Sequence, residues 1–307
     1  MPKDFISLAD WSAEDLLAIL ARARELKRLD QEGERPPTLR GRVLAMFFEK
    51  PSLRTHVTFE AGMTQLGGQA ILLRPEQIGI GSRESPADVA RNLSRWVDGI
   101  LARTFSHALV EELAQQASIP VINGLTDLLH PCQAMADLQT ISERCELKEA
   151  VIAYVGDGNN VANSLVNAAA VLGLSLRVAT PSTHRPALRV RRRAEPIAER
   201  SGARITFLED PVEAVKGASI VYTDTWTSMG QEQEAEVRRR IFARYQVNAK
   251  LLQHAPEAWV MHCLPAHRGE EITGDVLDGP HSVVFDQAEN RLHSQKAILE
   301  RLLVRRP

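Results

Sequence analysis

Four short groups of residues in this chain carry side chains suited to chemistry on an anion and an activated carbonyl. The first is Ser52-Leu53-Arg54-Thr55. It follows an apolar run, Arg42-Val-Leu-Ala-Met-Phe-Phe48, that reads as a buried strand. It opens a stretch with Val57, Phe59, Met63 and Leu66 ahead of Gly67-Gly68, which reads as a helix with its C-terminal stop. Ser52 then sits at the N-cap, and Leu53, Arg54 and Thr55 fall on the first turn. Amides there have no intrahelical acceptor, and the helix dipole favours an anion. Arg54 adds a guanidinium able to grip two oxygens. Strand, turn, capped helix and cation together form a phosphate cradle. Taken alone, the same four residues fit an ordinary capped helix with a surface arginine equally well.

The other groups lie at comparable places. His130-Pro-Cys-Gln133 opens a helix with proline in its first turn, and between it and the first group Asp98-Gly-Ile-Leu-Ala-Arg103 reads as a strand ending in a charge. Asp224-Thr-Trp-Thr-Ser228-Met229-Gly230 follows a strand at Ser219–Thr223. His262-Cys263-Leu264-Pro265 follows one at Trp259–His262. Ligands of parallel sheets bind at the carboxyl ends of strands. The first half of the chain places Ser52, Arg54, Thr55, Arg103, His130 and Gln133 there, a set suited to a dianion with a polarisable carbonyl. The second places Asn159, Asn160, Asp224, Ser228, His262, Cys263 and Leu264, a set suited to an ammonium and a carboxylate. A small phosphorylated compound is expected on one half and an amino acid or amine on the other.

The elements needed to hold these groups are legible in outline. The 307 residues are 44% hydrophobic with a net charge of −2, which allows two domains and gives no sign of a nucleic-acid or membrane partner. No segment reaches the roughly 18 consecutive apolar residues of a membrane span. The Met1-Pro-Lys-Asp-Phe start has neither signal-peptide nor transit-peptide character, so a cytoplasmic location is expected. Cys132, Cys145 and Cys263 match no metal spacing and read as free thiols in a reducing compartment. Strands are expected to alternate with helices through both halves, including a strand at Ser282–Phe285 and a last helix from Ala288 to Leu303. Residues Arg74 to Ser85 read as an irregular loop, Asn123-Gly124 as a turn, Trp96 and Trp226 as packing residues, and Glu270-Glu271 as a solvated pair. Arg191-Arg192-Arg193 reads as a solvated helix face. The fold class expected is α/β, with two doubly wound domains, each a mainly parallel sheet flanked by helices. Gly156-Asp-Gly158 begins like a dinucleotide turn, but Val161 stands where the third glycine belongs and no acidic ribose partner follows, so NAD(P) is not expected. His254, His262, Cys263 and His267 straddle a strand in no ligand spacing, so no metal and no cofactor are expected.

The four motifs, in this order and over nearly the whole chain, resemble those of the aspartate/ornithine carbamoyltransferase family. Ser52-Leu-Arg-Thr55 and His130-Pro-Cys-Gln133 are similar to elements that both branches share. Asp224-Thr-Trp-Thr-Ser228-Met229-Gly230 and His262-Cys263-Leu264-Pro265 are similar to the ornithine branch. The resemblance implies a carbamoyl-phosphate domain over residues 1–135, an ornithine domain over 136–287, and a C-terminal helix, 288–307, packing back on the first. It implies that Ser52, Leu53, Arg54, Thr55 and Arg103 hold the phosphate, and that His130 and Arg103, with Thr55, polarise the carbonyl. Gln133 and the Leu264 carbonyl would fix the carbamoyl nitrogen, and Arg291 would close over the site. Gln77 would reach the site of an adjacent subunit in a homotrimer or a multiple of trimers. Asn160 and the Met229 amide would hold the α-carboxylate of ornithine, Asp224 and Ser228 its ammonium, and Cys263 would lie beside the δ-nitrogen. On this basis Arg54, Arg103, His130 and Cys263 are the expected catalytic residues.

Two alternatives stay open on sequence. One is a relative acting on another amine, putrescine or acetylornithine, although putrescine gives the Ser228-Met229-Gly230 loop no carboxylate to bind. A non-catalytic paralogue acting as a binding module would be expected to lose Arg54, His130 or Cys263, and all three are present. One departure from the family pattern is His56, where an arginine usually follows Ser-X-Arg-Thr and adds charge near the phosphate. His56→Arg is expected to lower the Michaelis constant for carbamoyl phosphate and to flatten its variation between about pH 5.5 and 8. Unchanged constants across that range would remove the idea.

Overall fold

The computed structural model describes residues 2–304 except Ser82 and Met229, and omits the side chain of Gln77. The chain forms two compact units, residues 1–139 with 289–307, and residues 140–288.

In the first unit, helix α1 (Ala13–Gln31) is capped by Ser12 and buries Leu16, Ile19, Leu20, Ala23 and Leu26. The sheet strands are β1 (Val43–Phe48), β2 (Gln69–Leu73), β3 (Gly99–Arg103) and β4 (Val121–Leu125). They alternate with helices α2 (Leu53–Gln65), α3 (Pro75–Ile78), α4 (Pro86–Trp96) and α5 (His107–Gln116). Every pairing is parallel and the order is β2-β1-β3-β4. The central strand β3 is buried along its whole length. Helix α6 (Pro131–Ser142) leaves this unit. Most of helix α13 (Val284–Leu303) returns to it. There Glu300 receives Arg22 at 2.5 and 2.9 Å and Thr38 at 2.6 Å, and Lys296 reaches Gln65 at 3.0 Å. Gly62 of α2 lets α13 approach, since a Cβ there would lie 3.3 Å from Lys296 Cγ.

The second unit is built the same way from β5 (Val151–Val155), α7 (Asn160–Leu172), β6 (Ser175–Ala179), α8 (Leu188–Ser201), β7 (Arg204–Leu208), α9 (Pro211–Val215), β8 (Ile220–Thr223), α10 (Ala235–Phe242), α11 (Ala249–Leu252), β9 (Trp259–His262) and α12 (Gly274–Leu277). The strands run parallel in the order β7-β6-β5-β8-β9. Ala153, Val155, Val221 and Val260 join Trp226, Phe242 and Tyr245 in its core. Both units are therefore doubly wound, as the alternation of strands and helices predicts.

Several local expectations are corrected. Ser282–Phe285 is not a strand: Ser282 makes one isolated bridge to Val260, and α13 begins at Val284. An apolar run this short cannot be told from a helix start by periodicity. Asn123-Gly124 lies inside β4, where a register shift sets Arg103 opposite Leu125. Arg74–Ser85 contains the single turn α3, started by Pro75 and ended by Gly79 at φ 63°. Trp96 is 70% exposed, whereas Trp226 is 3% exposed.

The Gly156-Asp-Gly158 turn has a packing reason. Gly158 N–H donates to His184 O at 2.9 Å, and a Cβ at Gly158 would lie 2.3 Å from Pro186 N and 2.4 Å from the Arg185 carbonyl carbon. Neither contact is relieved by a side-chain rotation. Gly158→Ala is expected to destabilise the protein by roughly 3 kcal/mol, read from the midpoint of urea unfolding at unchanged slope.

Candidate active site

The first sheet changes winding direction between β1 and β3, and the ends of these strands are register partners at Phe48 and Arg103. The connection after β1 supplies Ser52, Arg54 and Thr55 and the end of β3 supplies Arg103, while His130 and Gln133 come from the start of α6 and Arg291 from α13. Ser52 caps α2, its Oγ accepting the Thr55 N–H at 3.1 Å. Thr55 is buried and its hydroxyl collects two guanidiniums, Arg291 Nη2 at 2.8 Å and Arg103 Nη1 at 3.4 Å. Arg291, on α13, also donates Nη1 to Gln133 Oε1 at 2.6 Å. Gln133 in turn donates Nε2 to Asp137 Oδ1 at 2.8 Å, one helical turn along α6. Gln295, with its amide nitrogen turned to Thr58, accepts from Arg291 Nη2 and Nε at 3.0 and 2.9 Å.

His130 completes this cluster just before α6. Burial first, and then the charges of Arg291, Arg103 and Arg54, hold its imidazole well below the usual histidine range. It is a neutral ring among cations, suited to donating a hydrogen bond to a carbonyl oxygen and unsuited to carrying a proton. Cys132 is buried against the Asn123 carbonyl, and burial pushes its thiol up to about 12, which leaves it inert. Lys50, also buried, pairs with Asp127 and lies 4.3 Å from the centre of the Phe105 ring. His56 faces Glu60 at 3.1 Å, one turn along α2.

The second sheet changes winding direction between β5 and β8, and β8 ends beside β9 with Thr223 opposite His262. Asn159 caps α7 through Oδ1, accepting from Val161 and Ala162 at 3.0 and 3.2 Å. Its Nδ2 donates to Asp224 Oδ2 at 2.7 Å. Asp224 Oδ1 accepts from the Thr225 amide at 2.8 Å and from the Cys263 thiol at 2.9 Å. The Asp224 carboxylate is thus held at fixed orientation between the first turn of α7 and the end of β9. Asn160 opens α7, its carbonyl accepting from Ser164 Oγ at 2.8 Å. Ser228 is closed into a turn by Gln231, amide to Oε1 at 3.1 Å. Met229 lies outside the described residues, as does the side chain of Gln77.

Sequence reasoning passed over several residues that brace these groups. Arg238 of α10 donates Nε to the Trp226 carbonyl and Nη2 to Asp157 Oδ2, both at 2.5 Å, and so anchors the segment after Asp224. Burial raises the Asp157 carboxyl to about 7, against the pull of Arg238. No periodicity marks such a pair, since its members are 81 positions apart in the chain. Glu271, expected on the surface, is fully buried, whereas Glu270 pairs with Arg239 at the surface at 2.9 Å. Asp224, His262 and Cys263 bring donor atoms within 4.8 Å of one another, a grouping that cysteine and histidine spacing alone does not reveal because Asp224 comes from the neighbouring strand. Each is already committed to protein partners: the thiol to Asp224, and the ring nitrogens of His262 to the Leu264 amide and to Glu271.

Comparison with known proteins agrees with this geometry. Residues 3–143 match the carbamoyl-P binding domain model of aspartate/ornithine carbamoyltransferase, and residues 148–302 match its Asp/Orn binding domain model. An ornithine carbamoyltransferase of Anoxybacillus flavithermus is 54% identical over 303 residues, covering 98% of this chain and 96% of its own. An anabolic ornithine carbamoyltransferase of Pyrococcus furiosus is 52% identical, covering 97% and 95%. The solved structure of ornithine carbamoyltransferase from Pyrococcus furiosus superposes with a TM-score of 0.95 at 50% identity, over 98% of this chain and 96% of that one. Four motifs at strand ends, two parallel sheets in this order and likeness over nearly the full length make this chain a member of the aspartate/ornithine carbamoyltransferase family.

Proposed function

We propose that the protein transfers the carbamoyl group of carbamoyl phosphate to the δ-amine of L-ornithine, giving L-citrulline and phosphate in arginine biosynthesis. The observation that carries this reading is the cluster in the first unit, where Arg54, Arg103 and Arg291 bear on a neutral His130 beside the N-terminus of α2. Guanidiniums gathered beside a helix N-terminus, Arg103 and Arg291 among them buried, suit a phosphate dianion.

In this mechanism the phosphate sits on Ser52, Leu53, Arg54, Thr55 and Arg103. Arg103, His130 and Thr55 donate to the carbamoyl oxygen, and Gln133 and the Leu264 carbonyl orient its nitrogen. Ornithine is held by Asn160, Asp224, Ser228 and Met229, with Cys263 beside the δ-nitrogen. The neutral amine attacks the carbonyl carbon and the oxyanion that forms is stabilised by the same donors. The C–O bond to phosphate then breaks with its electron pair, and the amine proton leaves with the phosphate. Proximity and fixed charge carry the catalysis, with no metal and no cofactor in the reaction. Family membership supports a homotrimer or a multiple of trimers, with Gln77 serving a neighbouring subunit, and a cytoplasmic location. Among the described residues no helix is long and apolar enough to cross a membrane.

Incubating the pure protein with carbamoyl phosphate and a panel of ornithine, acetylornithine and putrescine is expected to give citrulline and phosphate in equal amounts from ornithine. A carbamoylated product from one of the other amines in preference would move the specificity, and no product from any of them would mark a binding module. His130 is expected to stay neutral throughout turnover. Its ring nitrogens, followed by NMR between about pH 5.5 and 8, should show no titration, because its folded pKa lies below the ordinary value of about 6.5. The acid limb of the rate profile should then follow the δ-amine of ornithine, and an essential side-chain base located by mutagenesis would contradict phosphate as the proton acceptor.

A further inference from the structure

Strand β9 ends at His262, and the chain must then turn sharply to present Cys263 and Leu264. Leu264 has φ 55°, and it is the only non-glycine residue with positive φ among the described residues. An L side chain keeps that conformation only where its surroundings over-determine it. The restraint here is a hydrogen bond from the Leu264 amide to His262 Nδ1 at 2.8 Å. A ring nitrogen that accepts carries no proton, so a neutral His262 carries its proton on Nε2. Nε2 lies 3.0 Å from Glu271 Oε1. The same oxygen accepts the His267 amide at 2.6 Å, and both His262 and Glu271 are fully buried. One carboxylate oxygen therefore ties down both ends of the segment from His262 to His267. Glu271 is itself fixed, its carbonyl accepting from Val247 at 2.8 Å.

We infer, on the carbamoyl-transfer reading above, that Glu271 is a positioning residue for the reaction: by accepting from His262 Nε2 it fixes the imidazole tautomer whose Nδ1 holds the Leu264 amide. That bond aims the Leu264 carbonyl and the Cys263 thiol. Without an acceptor at Glu271 the proton can shift to Nδ1, where it meets the Leu264 N–H donor to donor. The turn then loses its restraint, although Glu271 touches neither substrate. The phosphate grip lies on other elements, Ser52 to Thr55 and Arg103, so phosphate binding should not change.

The experiment compares Glu271→Met, which removes the acceptor at similar length, with Glu271→Gln, whose amide oxygen can replace it. Glu271→Met is expected to lower kcat about a hundredfold, as misplacement of reacting groups by about 1 Å does. It should leave the dissociation constant of inorganic phosphate unchanged, and that binding also reports a folded first unit. Glu271→Gln is expected to stay within about threefold of the wild type, since the acceptor is retained. Nitrogen-15 shifts of His262 should show the Nε2–H tautomer in the wild type and in Glu271→Gln, and a mixture in Glu271→Met. A folded Glu271→Met protein with kcat within about twofold of the wild type would overturn the inference. So would a Glu271→Gln loss as large as that of Glu271→Met, or an Nδ1–H tautomer in the wild type. If Glu271→Met does not fold, the wild-type tautomer and the Glu271→Gln rate decide. A wild type that makes no citrulline would overturn the carbamoyl-transfer reading instead, and would leave the tautomer as found.

Discussion

Positive charge gathered at the carboxyl edge of a parallel sheet is the constraint that organises the first unit. Arg103 and Arg291 are nearly inaccessible, 7% and 2% exposed, and their guanidiniums are received by Thr55 Oγ1 and Gln133 Oε1, which are neutral oxygens. Burying cations is costly, and close cations repel one another in a medium of low dielectric. The fold holds them there with a central strand, two helix starts and a terminal helix. Burial, and then these same charges, hold the His130 imidazole well below the usual histidine range. A protonated imidazole in that place would add a further cation to the cluster, whereas a neutral one supplies a directed donor.

The second unit handles one negative charge by a different device. Asp224 is oriented by three donors: the Asn159 amide, its neighbour Thr225 and the Cys263 thiol. Its carboxylate is therefore held in one orientation by the protein itself. The side chains behind it are braced in turn, by Arg238 on Asp157 and the Trp226 carbonyl, and by Glu271 on His262. These supports are buried polar groups with multiple partners. Such networks confer a single geometry on a site when every member is satisfied.

The two sheets differ in strand number and share one rule of construction. Each reverses its winding at an internal strand pair, β1 with β3 and β5 with β8, and the candidate site residues leave those strands and the neighbouring β4 and β9. At such a reversal, neighbouring connections depart to opposite faces of a sheet, which is where ligands of open α/β sheets bind. The family models divide the chain near residue 145, and the second model runs on to residue 302, although residues 289–307 are compact with the first unit. The last helix is thus continuous in sequence with the second half and packed with the first, which is how Arg291 reaches Thr55.

What the amino-acid order determines by itself is local and periodic. The capped start of α2, the proline-led start of α6, the alternation of strands and helices, and the four polar groups at strand ends are all readable, because caps, turns and period depend on residues within a few positions of each other. Tertiary structure alone decides what meets beyond that range: Arg291 with Gln133, Arg238 with Asp157, and Glu271 with His262 nine positions before it, at the end of β9. It also decides that Trp96 is exposed and Glu271 buried, and that Val284 starts a helix where an apolar run suggests a strand. The physical reason is that burial and hydrogen-bond pairing are properties of the packed arrangement. A charged side chain carries no local mark of the partner that will make its burial tolerable.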